Sequence, residues 1–151
     1  MKQTAEISVY FADLEPLLDP AFFEPAMRKA SPERRDRANR FRFAEGRMRT
    51  LGGELLLRKA LLDRGLGTRE LNYGYGPQEK PYLIDLPDFH FNISHSGEYV
   101  MLAAADREVG CDIEKIARYD LRVAKRFFTP EEYECIAAAP PEEQKERFFR
   151  Y

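Results

Sequence analysis

The sequence predicts an α+β fold. Three runs alternate apolar with polar residues, as half-buried strands do, and two longer stretches carry apolar residues at helical spacing. The 151-residue length is that of one ordinary domain. Hydrophobic residues make up 44% of the chain, with eleven Phe and eight Tyr, which is enough to form a core.

The first strand is predicted over residues 7–11, where apolar and polar residues alternate. Residues 16–25 contain three prolines and are predicted to be an irregular break. Ser31 then suits a helix N-cap and Pro32 suits a first turn, so a helix is predicted from there to about Phe43.

A second, longer helix is predicted from about Glu45 to Arg64, and the glycines that follow would end it. Its apolar residues recur at helical spacing, at Met48, Leu51, Leu55 and Leu62. Residues 71–75 predict a short strand. The turn-rich segment 76–81 then places Lys80 on a loop.

Three strands are predicted next, over residues 89–94, 99–105 and 109–116, the last two forming a hairpin. From about Leu121 onward the pattern becomes helical. Thr129 begins a further short helix in a sequence like a capping box, and a last helix begins near residue 142, after two prolines.

The third alternating run carries two carboxylates on one face. Asp112 and Glu114 lie two positions apart and, on a strand, would be about 6.6 Å apart. Gly110 on the same face leaves room beside them, so Mg²⁺ fits between the carboxylates and can take further ligands from water and a phosphate. The alternative is a solvent-facing strand with two ordinary surface acids.

Ser94 and His95 lie where a predicted strand gives way to a turn, and from there both can reach a phosphate. The alternative is that they satisfy backbone groups of the turn itself.

Basic residues concentrate between Arg28 and Arg49, with nine Lys and Arg against three acids, although the net charge of the chain is only −2. A basic block in a near-neutral protein favours a local anionic ligand such as a phosphorylated small molecule. A solvated helix face and a nucleic-acid surface are the alternatives. The nucleic-acid alternative lacks interleaved aromatic residues and a strongly basic pI.

The two cysteines, Cys111 and Cys135, form neither a disulfide framework nor a metal-ligand spacing. The N-terminus has no apolar run of signal-peptide length, and no segment of the sequence approaches membrane-spanning length. A cytoplasmic location and no membrane partner are therefore expected.

Two motifs together are far more specific than either alone: Phe91-Asn-Ile-Ser-His-Ser-Gly97 and Val109-Gly-Cys-Asp-Ile-Glu-Lys115. The pair resembles the 4′-phosphopantetheinyl transferases, of the larger type that activates surfactin synthetase and related enzymes. Further similar segments are Ser31-Pro-Glu-Arg34, Arg49-Thr-Leu51, Lys80-Pro81, Leu86-Pro-Asp88, Ala124-Lys-Arg-Phe-Phe128 and Glu132-Tyr133.

The resemblance implies a reaction and a set of site residues. Such enzymes transfer the 4′-phosphopantetheine group of coenzyme A to a serine of an apo acyl or peptidyl carrier protein, with Mg²⁺ as cofactor. Asp112 and Glu114 would hold the Mg²⁺ and, with His95, would act in catalysis. The residues implied to bind coenzyme A are Ser94 and His95 at its phosphates, Arg34 and Arg37 at the 3′-phosphate, and Thr50 and Lys80 along the nucleotide.

The resemblance also implies a fold of two similar lobes related by a pseudo-twofold axis, with coenzyme A between them. Residues 1–105 would form the N-terminal lobe, and residues 106–151 would begin an incomplete second lobe. The family's Trp-x-x-Lys-Glu motif, with a third metal-site carboxylate, normally follows a stretch like 147–151. The sequence is therefore expected to be an inactive N-terminal fragment of the transferase. The alternative is a non-catalytic remnant that binds a nucleotide or a partner.

Overall fold

The predicted α+β class is confirmed by a computed structural model, which describes residues 6–67 and 70–151. The elements in chain order are β1 (Ser8–Asp13), α1 (Pro20–Lys29), α2 (Pro32–Arg40), α3 (Ala44–Asp63), β2 (Tyr73–Tyr75), β3 (Pro81–Leu83), β4 (His90–Ser96), β5 (Tyr99–Ala105), α4 (Leu121–Phe127), α5 (Pro130–Ala137) and α6 (Pro141–Phe148). They divide into two compact units, Met1–Ile113 and Glu114–Tyr151. The lobe boundary after residue 105 stays a prediction.

The first unit contains a three-stranded antiparallel sheet in the order β1-β5-β4. Leu102 on the central strand lies opposite Tyr10 on one side and Ile93 on the other. Strands β2 and β3 form a separate antiparallel pair. The strands predicted near residues 7–11, 71–75, 89–94 and 99–105 are confirmed, with small shifts at their ends.

Helix α3 packs against the sheet and forms the main core with it. Leu57 and Leu61 of the helix cluster with Phe91, Val100 and Leu102 of the strands, and all five are buried. The predicted helix over about 45–64 is thus confirmed, and Leu57 and Leu61 face the sheet because burial of apolar surface drives the packing. Leu55 and Leu62, which belong to the predicted apolar pattern, are exposed.

A glycine on α3 allows a close approach to the segment that follows β1. A Cβ atom at Gly52 would lie 2.2 Å from Leu14 Cδ2, and Leu14 is itself buried in the core. A side chain at this position would therefore push α3 away from its neighbours.

The irregular break predicted over residues 16–25 is wrong. A short 3₁₀ helix covers Glu15–Leu18, and α1 follows it. The side chain of Asp19 caps α1 by accepting a hydrogen bond from the Ala21 amide at 2.8 Å, and Pro20 occupies the first turn, where proline is tolerated. Pro25 lies inside the helix, and apolar packing of α1 overrides the proline signal there.

Two further predictions, one of a turn and one of a strand, need correction. The short strand β3 lies at the end of a segment predicted to be a turn. The strand predicted over residues 109–116 is wrong, because the structure has no regular element between residues 106 and 120. The expected alternation of burial is nevertheless present, since Val109, Cys111 and Ile113 are half-buried and the residues between them are exposed.

The second unit contains α4, α5 and α6, as the helical pattern after Leu121 predicts. Thr129 and Glu132 form a reciprocal capping box at the start of α5. The ring of Phe148 contacts those of Tyr119 and Phe128 at centroid distances of 5.7 and 5.3 Å. Across the two stretches described, none of the helices combines the length and the apolar character that crossing a membrane requires.

Candidate functional site

Helix α2 presents two arginines on one face. Ser31 is its N-cap, and the Ser31 hydroxyl accepts a hydrogen bond from the Arg34 amide at 3.3 Å. Arg34 and Arg37 lie three positions apart, so their side chains project from the same side of the helix. The sequence signal Ser-Pro-Glu-Arg thus fixes both where the helix begins and which way its basic side chains point.

Four residues predicted for coenzyme A binding line one cavity of about 240 Å³. Arg34 and Arg37 come from α2, Thr50 comes from α3 and His95 comes from β4. Arg49 of α3 lines the same cavity. We call the space lined by these five residues the arginine pocket.

The electrostatics of the arginine pocket favour an anion. The Arg34 side chain is only 8% exposed, and its buried Nε finds no hydrogen-bond partner among the described residues. Arg34 nevertheless contributes to the pocket lining, where the charge of its guanidinium attracts an anion. Arg37 and Arg49 add positive charge, and Glu79 is the opposing carboxylate in the lining.

Arg49 was not among the predicted site residues, although its segment resembles the family. Its Nε and Nη2 donate to the Gly97 carbonyl at 3.1 and 3.0 Å, which ties α3 to the turn between β4 and β5. The Thr50 hydroxyl donates back to the Gly46 carbonyl at 2.8 Å. These bonds hold the α3 wall of the pocket in a fixed orientation.

The sequence reasoning also missed Phe41, which lines the arginine pocket and is partly exposed. A Cβ atom at Gly46 would lie 2.4 Å from the Phe41 ring, so only glycine leaves the ring room to lie against α3. The available signal was a glycine in the first turn of a helix, where it disfavours helix formation.

A strained turn borders the pocket. Gln78 and Glu79 have φ values of 63° and 57°, in the left-handed region that non-glycine residues rarely adopt. Glu79 lines the arginine pocket, whereas the next residue, Lys80, does not.

Lys80 instead contacts the chain just before the predicted metal motif. Its Nζ donates to Glu108 Oε2 at 2.7 Å and to the Val109 carbonyl at 3.1 Å. The Lys80 ammonium lowers the pKa of the Glu108 carboxyl below its usual range. Lys80 lines a neighbouring cavity of about 430 Å³ together with His90.

Ser94 projects from the opposite face of β4 to His95 and holds the segment that carries Asp112. The Ser94 hydroxyl accepts from the Ile113 amide at 3.2 Å and donates to Asp112 Oδ1 at 2.8 Å. Two residues earlier, Asn92 Oδ1 accepts from the Cys111 amide at 2.9 Å. Hydrogen bonds from the side chains of Asn92 and Ser94 thus hold residues 111–113, where the predicted strand would have made backbone hydrogen bonds. Residues 111–113 run parallel to β4.

The predicted metal ligands Asp112 and Glu114 are both exposed. Cys111, the residue before Asp112, is half-buried, and its burial raises the pKa of its thiol. Among residues 6–67 and 70–151, no group of three or more His, Cys, Asp and Glu side chains comes together as a metal site. A Mg²⁺ ion held by one or two carboxylates, waters and phosphate does not need such a group.

Comparison with known proteins places this arrangement in a family. A family model described as "4′-phosphopantetheinyl transferase, N-terminal" matches residues 19–107, and one described as "4′-phosphopantetheinyl transferase superfamily" matches residues 108–151. The chain belongs to the 4′-phosphopantetheinyl transferase family. The first match contains the arginine pocket, and the second contains Asp112 and Glu114.

Several relatives are similar over most of the chain. A 4′-phosphopantetheinyl transferase of Bacillus subtilis is 40% identical over 124 residues, which are 82% of this chain and 55% of the relative. The psf-1 transferase of Bacillus pumilus is 41% identical over 118 residues, or 78% of this chain and 51% of the relative. The L-aminoadipate-semialdehyde dehydrogenase-phosphopantetheinyl transferase of Mus musculus is 33% identical over 141 residues, which are 83% of this chain and 46% of the relative. The chain spans about half the length of the curated relatives it matches.

The Ser94 bonds predict a local effect on the Asp112 segment. In Ser94→Ala, the Ile113 amide loses its acceptor and should exchange with deuterium about tenfold faster. The Cys111 amide, which Asn92 holds, should change much less, and amides of the β1–β5 ladder serve as the internal reference. An Ile113 exchange rate equal to that of the unmodified chain would contradict the role given to Ser94.

Proposed function

We propose that the arginine pocket binds the 3′-phosphorylated nucleotide of coenzyme A, and that the chain is the coenzyme-binding part of a 4′-phosphopantetheinyl transferase. The observation that carries the proposal is that Arg34, Arg37 and His95 line one concave pocket, with Arg34 itself largely buried. A phosphate supplies several acceptor oxygens and negative charge, which is what such a group of donors requires.

The shape of the site supports a small anion over a nucleic acid. Three arginines of the basic block, Arg34, Arg37 and Arg49, line one concave pocket, which suits a small anion better than an extended nucleic acid. Phe41 offers an apolar ring at the same pocket, and a nucleotide base is a suitable group to pack against it.

In the proposed reaction, a serine hydroxyl of the apo carrier protein gives its proton to a general base, for which the resemblance implies the Glu of the Trp-x-x-Lys-Glu motif. The serine oxygen attacks the pyrophosphate phosphorus that bears the pantetheine arm. The bond to the adjacent phosphate oxygen breaks, and adenosine 3′,5′-bisphosphate leaves. Arg34 and Arg37 would anchor the 3′-phosphate and so fix the position of the pyrophosphate. His95, next to them in the pocket, would donate to a phosphate oxygen when protonated.

Asp112 and Glu114 are the proposed Mg²⁺ ligands, because hard carboxylate oxygens with free access to water fit this ion. When bound, Mg²⁺ would withdraw charge from the pyrophosphate and hold it in line for attack. Ser94 would orient the Asp112 carboxylate through its 2.8 Å hydrogen bond. We assign transfer to a protein that also contains the family's Trp-x-x-Lys-Glu motif, and nucleotide binding to this chain. The proposed setting is the cytoplasm.

The 3′-phosphate assignment predicts a selective loss of affinity. Arg34→Gln should weaken coenzyme A binding about tenfold or more and leave binding of 3′-dephospho-coenzyme A nearly unchanged, since only the first ligand carries the phosphate. Calorimetric titration of the 151-residue chain with each ligand measures both affinities.

Arg40→Gln is the matched control, because Arg40 is an exposed arginine of the same helix and lies outside the pocket lining. Equal losses for both ligands, or an equal loss in Arg40→Gln, would refute the assignment.

The metal assignment predicts that Mg²⁺ strengthens coenzyme A binding through Asp112. In Asp112→Asn the gain in affinity on adding Mg²⁺ should fall at least about threefold, because the amide carries no charge, while affinity in the presence of a chelator should not fall, because the change also removes repulsion of the phosphates. The same titrations with Asp106→Asn, an exposed carboxylate outside the motif, control for net charge. A Mg²⁺ effect that survives in Asp112→Asn would rule out Asp112 as a ligand.

A further inference from the structure

Helix α3 carries a carboxylate, Glu54, that is almost completely buried, at 2% exposed. A buried charge is costly unless it is paired and hydrogen-bonded. Glu54 is both. Its Oε1 accepts from the Ser31 amide at 2.7 Å and from Arg58 Nε at 2.9 Å, and its Oε2 accepts from the Ser31 hydroxyl at 2.7 Å.

The bonds to Ser31 connect Glu54 to the helix that carries the pocket arginines. Ser31 is the N-cap of α2, and its hydroxyl also accepts from the Arg34 amide. A continuous path of hydrogen bonds therefore runs from the Glu54 carboxylate through the Ser31 hydroxyl to the backbone of Arg34. The negative charge near the start of α2 also suits the positive end of the helix dipole.

A second path reaches the Arg34 side chain. The Tyr73 hydroxyl donates to Glu54 Oε2 at 3.4 Å, and the Arg34 guanidinium lies over the Tyr73 ring, 4.3 Å from its centroid. Burial raises the pKa of Tyr73, and the Glu54 charge raises it further, so the phenol stays protonated and remains a donor.

The charge of Glu54 is balanced by Arg58, one turn further along α3. Arg58 Nη2 lies 2.7 Å from Glu54 Oε1. Glu54 thus positions Arg34 through Ser31 and Tyr73 while a different arginine provides its ion pair. Arg34 itself lines the arginine pocket.

We propose, on the basis of the function proposed above, that Glu54 is a positioning residue that sets the preference of the arginine pocket for a 3′-phosphorylated nucleotide. It does not touch the ligand. It fixes α2 on α3, so that the arginines of one helix and Thr50 of the other keep the spacing that the phosphate needs.

The test compares the affinities of the 151-residue chain for coenzyme A and for 3′-dephospho-coenzyme A. In Glu54→Gln the ratio of the two affinities should fall about tenfold, because the amide keeps only one acceptor oxygen for the donors of Ser31, Arg58 and Tyr73 and carries no charge for Arg58, which weakens the anchor of α2. In the Arg34→Gln background the same change should have little further effect on the ratio, because Glu54 acts through Arg34.

Leu57→Ala is the control for a purely structural effect. Leu57 is a buried core residue of the same helix and lies outside the pocket lining, so its loss should leave the ratio unchanged. Ser31→Ala provides a milder second variant that keeps Glu54 and removes one link of the path. Ser31→Ala should also lower the ratio of the affinities for coenzyme A and 3′-dephospho-coenzyme A.

The outcomes separate this inference from the proposed function. An unmodified chain without a preference for coenzyme A would refute the proposed function and the inference together. A normal preference in the unmodified chain that Glu54→Gln leaves unchanged would overturn the role of Glu54 alone. If Glu54→Gln does not fold, an unchanged ratio in Ser31→Ala would overturn it instead.

Discussion

The candidate site depends on the junction between α2 and α3, where the buried Glu54 carboxylate binds both the amide and the hydroxyl of Ser31. This contact holds the N-terminus of α2 on α3 and, in our proposal, thereby positions Arg34. The alternative interpretation of the basic block was a solvated helix face. In the structure, Arg34 is buried against the Tyr73 ring and lines a concave pocket. In the proposed function, this buried contact holds part of the positive charge of the basic block around one pocket.

Both faces of strand β4 contribute residues to the candidate site. His95 projects into the arginine pocket, on the side where α3 packs. On the other face, Asn92 and Ser94 accept hydrogen bonds from the amides of Cys111 and Ile113. The short motif Asn-Ile-Ser-His therefore connects the proposed phosphate site with the segment that carries Asp112, because neighbouring residues of a strand point in opposite directions.

Much of this arrangement was predictable from the sequence because local signals were strong. Ser31 and Pro32 marked the start of α2, and the alternation around Phe91 marked β4. The helix α1 was missed because three prolines dominate its local pattern, whereas its packing against residues distant in sequence decides the outcome. The strand predicted after Glu108 failed because side chains, not a backbone ladder, hold that segment. The burial of Glu54 could not be predicted from the sequence, because a single acidic residue in a helical pattern does not show which donors will surround it in the fold.

The central claim is that the arginine pocket binds the 3′-phosphorylated nucleotide. Amide spectra of the isotope-labelled 151-residue chain, titrated with adenosine 3′,5′-bisphosphate, test this claim most directly. Saturable shifts should concentrate at Arg34, Arg37, Thr50 and His95, with smaller shifts at Ser31, which joins the pocket to Glu54. Shifts confined to the neighbouring cavity around His90, or no saturable shifts at millimolar ligand, would contradict the claim.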